Sequence, residues 1–275
     1  MVSRGVTGRA GLVDSTRGSP RGLCGTVKVL VLGVLCLGVV AAPAQGGPAD
    51  PADAVVQLIA VDTRTNSGNP VGAAFFVSSS GTALTSSHVV SAPLRDPGSS
   101  RLLAIVGTEF YAADVVCASP LPPGVATSIV PFGWDVAELR VRPSDFPFRT
   151  WDHHFATGAV VAWAVAHTGP LPRFPIAPIA GRPAIGAAVS VTAHEFVGPL
   201  SQRRTVVGHV RQMRAAGDGT GVFQIEFASP LDPEDSGSPV FDAQAQVIGL
   251  WTWGNPDQPS VGWAQDGTVL TKPCR

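Results

Sequence analysis

The sequence predicts a compact all-β protein arranged as two barrels or sandwiches, and three observations predict it. The 275 residues include 31 Gly and 25 Pro, too many for a helical protein and too irregularly placed for collagen. Hydrophobic residues make up 45% and charged residues 14%, which suits a sizeable core and argues against disorder. Short β-branched runs recur between turn signals in two sets, and none carries a sustained 3.6-residue apolar stripe.

Taken in order, the chain opens on an address. Arg4, Arg9, Arg17, Arg21 and Lys28 face a single acid, Asp14, before the apolar run Val29 to Ala42. Ala42-Pro43-Ala44 then offers the small residues a signal peptidase accepts, so residues 1–44 read as a secretory signal peptide cleaved near Ala44. About fourteen apolar residues fall short of the roughly 20 that a helix needs to span lipid, so no stable membrane anchor is expected after cleavage. The mature chain is then expected to be secreted, into the periplasm or outside the cell. The whole chain has 19 basic and 20 acidic residues, and removing 1–44 takes five bases and one acid, leaving a net charge of −5. A mildly acidic protein has no basic face with which to displace counterions, so nucleic acid is excluded as a partner on bulk charge.

Past a Pro/Asp/Ala linker at 45–53, the first set of predicted strands is Ala54–Val61, Val71–Ser78, Thr82–Thr85, Leu102–Val106, Tyr111–Cys117 and Trp134–Val141. The second is Ala187–Ala193, Arg204–Gln212, Val222–Phe227, Pro239–Phe241, Val247–Trp253 and Val261–Ala264. Residues 142–186 join the sets and fit neither. Within them Gly158–Ala166 reads as an extra strand or a short buried helix. Cys117 and Cys274 remain after cleavage, and in an oxidising compartment such a pair is a disulfide candidate.

Three signals carry chemistry. Thr85-Ser86-Ser87-His88 places a histidine just after a short β run, and Trp134-Asp135-Val136 places an acid at the start of an alternating one. Asp235-Ser236-Gly237-Ser238 puts an acid and a serine in a tight turn, with backbone N–H groups beside the hydroxyl. Amide hydrolysis needs a hydroxyl nucleophile, an imidazole to take its proton, a carboxylate to orient the imidazole and N–H donors for the oxyanion. One candidate exists for each role. His88 and Asp135 are 47 residues apart and Ser236 follows 101 later, so base and orienter fall in the first strand set and the nucleophile in the second. The site then lies in the cleft between them.

At these residues the chain resembles the chymotrypsin/trypsin-like serine proteases, most closely the bacterial branch with HtrA-type protease domains. The likeness covers roughly residues 54–270. It rests on Gly72-Ala73-Ala74-Phe75-Phe76-Val77 and Gly81-Thr82-Ala83-Leu84-Thr85 before His88, on Gly208-His209-Val210 before the serine turn, and on Gly249-Leu250-Trp251-Thr252-Trp253-Gly254. The resemblance implies two six-stranded antiparallel β-barrels, an N-terminal one at 54–141 and a C-terminal one at 187–275, with 142–186 as an inter-barrel connection carrying an insertion. No PDZ domain is expected after the second barrel. The implied roles are His88 as general base, Asp135 as its orienter and Ser236 as nucleophile, with the N–H groups of Glu234 and Ser236 as oxyanion hole. Thr252 is expected to support Asp135, and Thr252, Trp253 and Gly254 to pair with an extended polypeptide substrate. Pro230, Leu231, Gly254 and Gly262 are expected to line the primary pocket, with no acid placed to select Lys or Arg, so small or apolar side chains are expected before the cut.

Two departures matter. Glu234 stands where the family has glycine, and a side chain there disfavours the backbone angles that aim its N–H inward. Misplacing one oxyanion donor costs about 2.7–4 kcal/mol of transition-state stabilisation. There is also no Ile-Val-Gly-Gly type start to supply an ammonium to Asp235, which is expected to be held by internal groups instead. A catalytically weak or silent homologue that binds peptides through the same cleft is therefore the alternative reading.

No cofactor or metal is expected. His194-Glu195 lacks the second histidine of a zinc-protease helix, Asp152-His153-His154 lacks further ligands, and Asp232, Glu234 and Asp235 lack a calcium-loop pattern.

Overall fold

A computed structural model describes residues 50–120, 133–147, 150–154, 160–197, 200–216 and 219–273, all within a compact unit that spans 46–275. The predicted signal peptide and Cys274 lie outside the described residues.

Each of the twelve β-branched runs is a strand. The first six are β1 (Val55–Asp62), β2 (Ser67–Phe76), β3 (Thr82–Thr85), β4 (Ser100–Val106), β5 (Glu109–Ala118) and β6 (Ala137–Arg142). They pair in the ring β1-β2-β3-β6-β5-β4, which β4 closes against β1. Two further strands, β7 (Thr150–His154) and β8 (Val160–Ala166), form an antiparallel hairpin added to this ring. The second six are β9 (Ala188–Val197), β10 (Leu200–Ala215), β11 (Gly221–Phe227), β12 (Pro239–Phe241), β13 (Val247–Gly254) and β14 (Val261–Asp266), closed in the order β10-β11-β14-β13-β12-β9. The fold is two six-stranded antiparallel barrels, and closure removes the unpaired edges that open sheets carry.

The open question over Gly158–Ala166 resolves as strand from Val160 on, Gly158 and Ala159 lying outside the described residues. β8 runs parallel to the start of β5, pairing Glu109 with Val165 and Phe110 with Ala166. A satellite core of Ile59, Val61, Leu103, Phe110, Phe146 and Ala164 packs beneath that junction. β7 was not foreseen, because Thr-Trp-Asp-His-His shows no apolar alternation. β6 begins three residues later than predicted. Before it, the backbone at Trp134 and Val136 is bonded largely to serine side chains: Ser119 Oγ donates to Trp134 O at 2.8 Å, Val136 N–H donates to Ser119 Oγ at 3.0 Å, and Val136 O accepts from Ser87 Oγ at 2.7 Å and from Ser119 N–H at 3.0 Å.

The main core does not stop at the first barrel. Phe75, Phe76, Leu84, Val136 and Leu139 share one buried cluster with Phe241, Val247, Leu250 and Leu270 of the second half. The connection between barrels is part of it. Phe174 stacks on Phe76 with ring centroids 4.1 Å apart and 16° between planes, and meets Tyr111 edge-on at 5.6 Å. Main-chain bonds extend the strap in both directions. Ala177 N–H donates to Phe76 O at 3.0 Å, and Ala180 N–H donates to Val247 O at 2.8 Å. Residues 174–180 thus clip one barrel to the other.

Phe174→Ala is expected to lower the unfolding free energy by about 3–5 kcal/mol, the usual cost of deleting a buried aromatic ring. Urea denaturation with limited proteolysis of the 168–186 segment measures this. Unchanged stability and unchanged cleavage would remove the strap from the account.

Candidate active site

Asp135 is the most tightly held of the predicted site residues. Its carboxylate is 1% exposed and faces His88 twice: His88 N–H donates to Oδ1 at 3.0 Å, and His88 Nδ1 lies 2.7 Å from Oδ2. A buried carboxylate without partners costs several kcal/mol, and here one histidine satisfies both oxygens. The segment around Asp135 is clamped by Ser87 and Ser119, whose hydroxyls lie 2.7 Å apart. Neither serine stood out in the sequence, where the only signal is the second serine of Thr85-Ser86-Ser87-His88. With Nδ1 bonded to the carboxylate, Nε2 of the imidazole is left for the cleft.

Ser236 reaches the same place from the second barrel. Ala73 N–H of β2 donates to Ser236 O at 2.8 Å, stitching the serine turn onto the first barrel. The turn needs Gly237, whose φ is +90°, and a Cβ there would come within 2.2 Å of Ala73 O and 2.4 Å of Thr85 Oγ1. The serine hydroxyl itself donates to Thr252 O at 3.4 Å, and among the described residues no hydrogen bond links it to His88. The His88–Asp135 pair is therefore made, and the Ser236 hydroxyl is turned to the Thr252 carbonyl. Among the described residues the Thr252 hydroxyl makes no hydrogen bond to Asp135: it donates to Leu250 O at 3.0 Å and accepts from Ser86 Oγ at 3.5 Å.

The expected oxyanion donors sit in a closed turn. Residues Pro233–Asp235 form a 3₁₀ turn in which Ser236 N–H donates to Pro233 O at 3.1 Å. One of the two donors is spent on a carbonyl of its own chain. Asp-Pro-Glu-Asp is itself a helix-start sequence, with proline at the first helical position, so local preference favours this turn. Glu234 is exposed at its surface.

Asp235 is held by internal groups. It is wholly buried and accepts from His194 N–H at 3.1 Å and Asp232 N–H at 2.9 Å, with Arg204 Nη2 at 3.3 Å from Oδ2. Arg204 also donates to Pro230 O at 3.2 Å and meets Asp232 at 3.2 Å, binding three points of the segment before the nucleophile. Burial outweighs these partners and pushes the Asp235 carboxyl up to about 6. His194 beside it is pushed the other way, to about 4, by burial and then by the Arg203 charge, and its Nδ1 has no hydrogen-bond partner.

Of the remaining predicted residues, Leu231, Thr252, Trp253 and Gly262 are buried, whereas Pro230 and Gly254 are exposed. Gly254 and Gly262 face each other across the β13–β14 ladder. Cys117 is disulfide-bonded. No group of three His, Cys, Asp or Glu side chains poised for a metal occurs among the described residues.

The double barrel with an acid, a histidine and a serine in its cleft defines a class, the chymotrypsin-like peptidases. A family model described as "Trypsin-like peptidase domain" matches residues 72–250, a span that contains His88, Asp135 and Ser236, and the chain belongs to that family. Solved structures agree on the fold. The M. tuberculosis protease Rv3671c in its active form is 20% identical, with a TM-score of 0.51, over 81% of this chain and 80% of that one. An inactive serine-to-alanine mutant of Rv3671c gives 19% identity and a TM-score of 0.51 over 81% and 85%. Deg5 gives 14% identity and a TM-score of 0.54 over 82% and 88%. No curated protein matches the sequence.

Removing the guanidinium in Arg204→Met takes a cation away from the buried Asp235 carboxylate, and is expected to cost about 3 kcal/mol in urea denaturation. The two shifted groups act oppositely on pH. The depressed His194 contributes stability that is complete above its ordinary 6.5 and lost as pH falls to about 4, because the unfolded chain binds the extra proton. The raised Asp235 contributes stability below its ordinary 3.8 that is lost as pH rises through about 6. His194→Leu is therefore expected to flatten the acid-side loss of stability between pH 6.5 and 4, and thermal melts at those two values check it.

Proposed function

We propose that the protein is a secreted serine endopeptidase in which Ser236 attacks the scissile carbonyl, His88 accepts its proton and Asp135 holds the imidazole in register. The observation that carries this reading is the doubly bonded His88–Asp135 pair, its carboxylate buried, on the same barrel to which the Ala73 N–H bond ties the Ser236 turn. Attack forms a tetrahedral oxyanion. Its collapse expels the amine, protonated by His88, and leaves an acyl-enzyme on Ser236 that water hydrolyses by the same proton relay. Thr252, Trp253 and Gly254 suit the binding of an extended polypeptide, since β12 and the serine turn cover that edge of β13 only as far as Trp251, and among the described residues no strand pairs with the edge beyond it.

In the state described, Ser236 needs a side-chain rotation toward His88, and the Pro233–Glu234 peptide must turn so that Ser236 N–H and Glu234 N–H face the substrate oxygen. Both changes are local. A substrate oxyanion competes with Pro233 O for the same donor, so the working site forms on binding peptide and turnover is slow without it. The second reading, a peptide binder without turnover, draws on that same closed turn. The signal peptide ending near Ala44 and secretion are part of the proposal and rest on the residue pattern of 1–44.

A fluorophosphonate probe separates the two readings: an endopeptidase takes up the label at Ser236 and loses it in Ser236→Ala, whereas a binder stays unlabelled. Glu234→Gly, which frees the backbone at the donor peptide, is expected to raise kcat on a peptide substrate by up to about 10²-fold, the worth of one oxyanion donor. An unchanged kcat in that variant shows that the closed turn does not limit the enzyme.

A further inference from the structure

Gly254 and Gly262 oppose each other at the end of the β13–β14 ladder, so neither fills the space above it with a side chain. Another residue occupies that space. A Cβ built on Gly262 would come 1.9 Å from Trp251 Cη2 and 2.6 Å from Cζ3, and one on Gly254 would stand 4.0 Å from Cζ2. The six-membered ring of Trp251 thus reaches across both glycines. The indole is 2% exposed, meets Phe227 edge-on at 5.2 Å and shares a buried cluster with Leu231. Its main chain is tied to the serine turn on both sides: Gly237 N–H donates to Trp251 O at 2.8 Å, and Trp251 N–H donates to Ser238 O at 2.9 Å. The ring and the nucleophile are therefore positioned as one unit.

We propose that Trp251 determines the specificity of this site, its indole forming the floor of the primary pocket and restricting the residue before the scissile bond to a side chain of about alanine, serine or glycine size. This rests on the endopeptidase reading. Two opposed glycines would by themselves leave a deep slot able to take a large side chain. The indole closes it, and since protein interiors resist extra volume, a leucine or phenylalanine side chain entering there would have to displace a ring wedged between Phe227 and the strand backbone. Gly262 serves the tryptophan, because any Cβ there would collide with its ring, whereas a Cβ at Gly254 would only touch it.

The test measures second-order rates of Ser236 labelling by peptidyl diphenyl phosphonates carrying alanine, valine, leucine or phenylalanine side chains, which react without turnover. The wild-type protein is expected to react with the alanine compound at least about 100-fold faster than with the leucine or phenylalanine compounds, each methylene in such a pocket being worth about 10–200-fold. Trp251→Leu and the milder Trp251→Phe are expected to narrow that ratio at least tenfold by accelerating the larger probes. A ring that only fills the core would instead change all four rates by one factor, and that result overturns the inference. Should neither variant fold, the wild-type profile decides, because rates that do not fall with side-chain size overturn it alone. If Ser236 takes up neither these compounds nor a small fluorophosphonate, the endopeptidase reading fails and the inference falls with it.

Discussion

The bond from Ala73 N–H to Ser236 O is the constraint on which the site depends. It crosses from one barrel to the other and brings the serine turn against the backbone of β2 so closely that a side-chain atom at Gly237 or Gly72 would collide, the latter with Ser236 O at 2.6 Å. Everything chemical is arranged around this seam. His88 follows β3, which pairs directly with β2; Asp135 precedes β6, which pairs with β3. Two strand registers therefore bring the imidazole and carboxylate to the place where the seam delivers the hydroxyl. A buried cluster that runs continuously from the first barrel into Phe241, Val247 and Leu250 supplies the apolar driving force that keeps the seam shut.

Much of this was legible in the residues. The twelve β-branched runs between glycine and proline turns became twelve strands because period-2 burial and turn chemistry are local properties. The acid, histidine and serine could be singled out because each sits at a strand boundary in a sequence with few charges. What could not be read depends on contacts distant in the chain. The Ser87–Ser119 clamp joins two ordinary serines across the sheet, and Thr252 turned to Leu250 and Ser86 rather than to Asp135. β7 escaped notice because its polar sequence becomes a strand only by pairing with β8. Arg204 gave no signal among the many arginines, although its guanidinium lies 3.3 Å from the buried Asp235 carboxylate.

The closed oxyanion turn lies between these extremes. Glu234 marked the position as unusual on grounds of backbone preference, and Asp232-Pro233-Glu234-Asp235 carries a helix-start pattern that favours the observed turn. The same four residues thus pull toward a short helix, which consumes the Ser236 N–H, and away from the open turn that the proposed mechanism requires. Arg204 and the buried Asp235 hold both ends of the segment, so the competition is confined to the peptide between Pro233 and Glu234.

The strap at 174–180 sets where motion can occur. Its main chain is hydrogen-bonded to Phe76 on one side and to Val247 on the other, and Phe174 is buried against Phe76. A brace attached to both walls of a cleft prevents the walls from hinging apart. For the proposed endopeptidase this favours admitting a polypeptide at the lip of the cleft, peptide plane by peptide plane, over spreading the two barrels like the jaws of a vise.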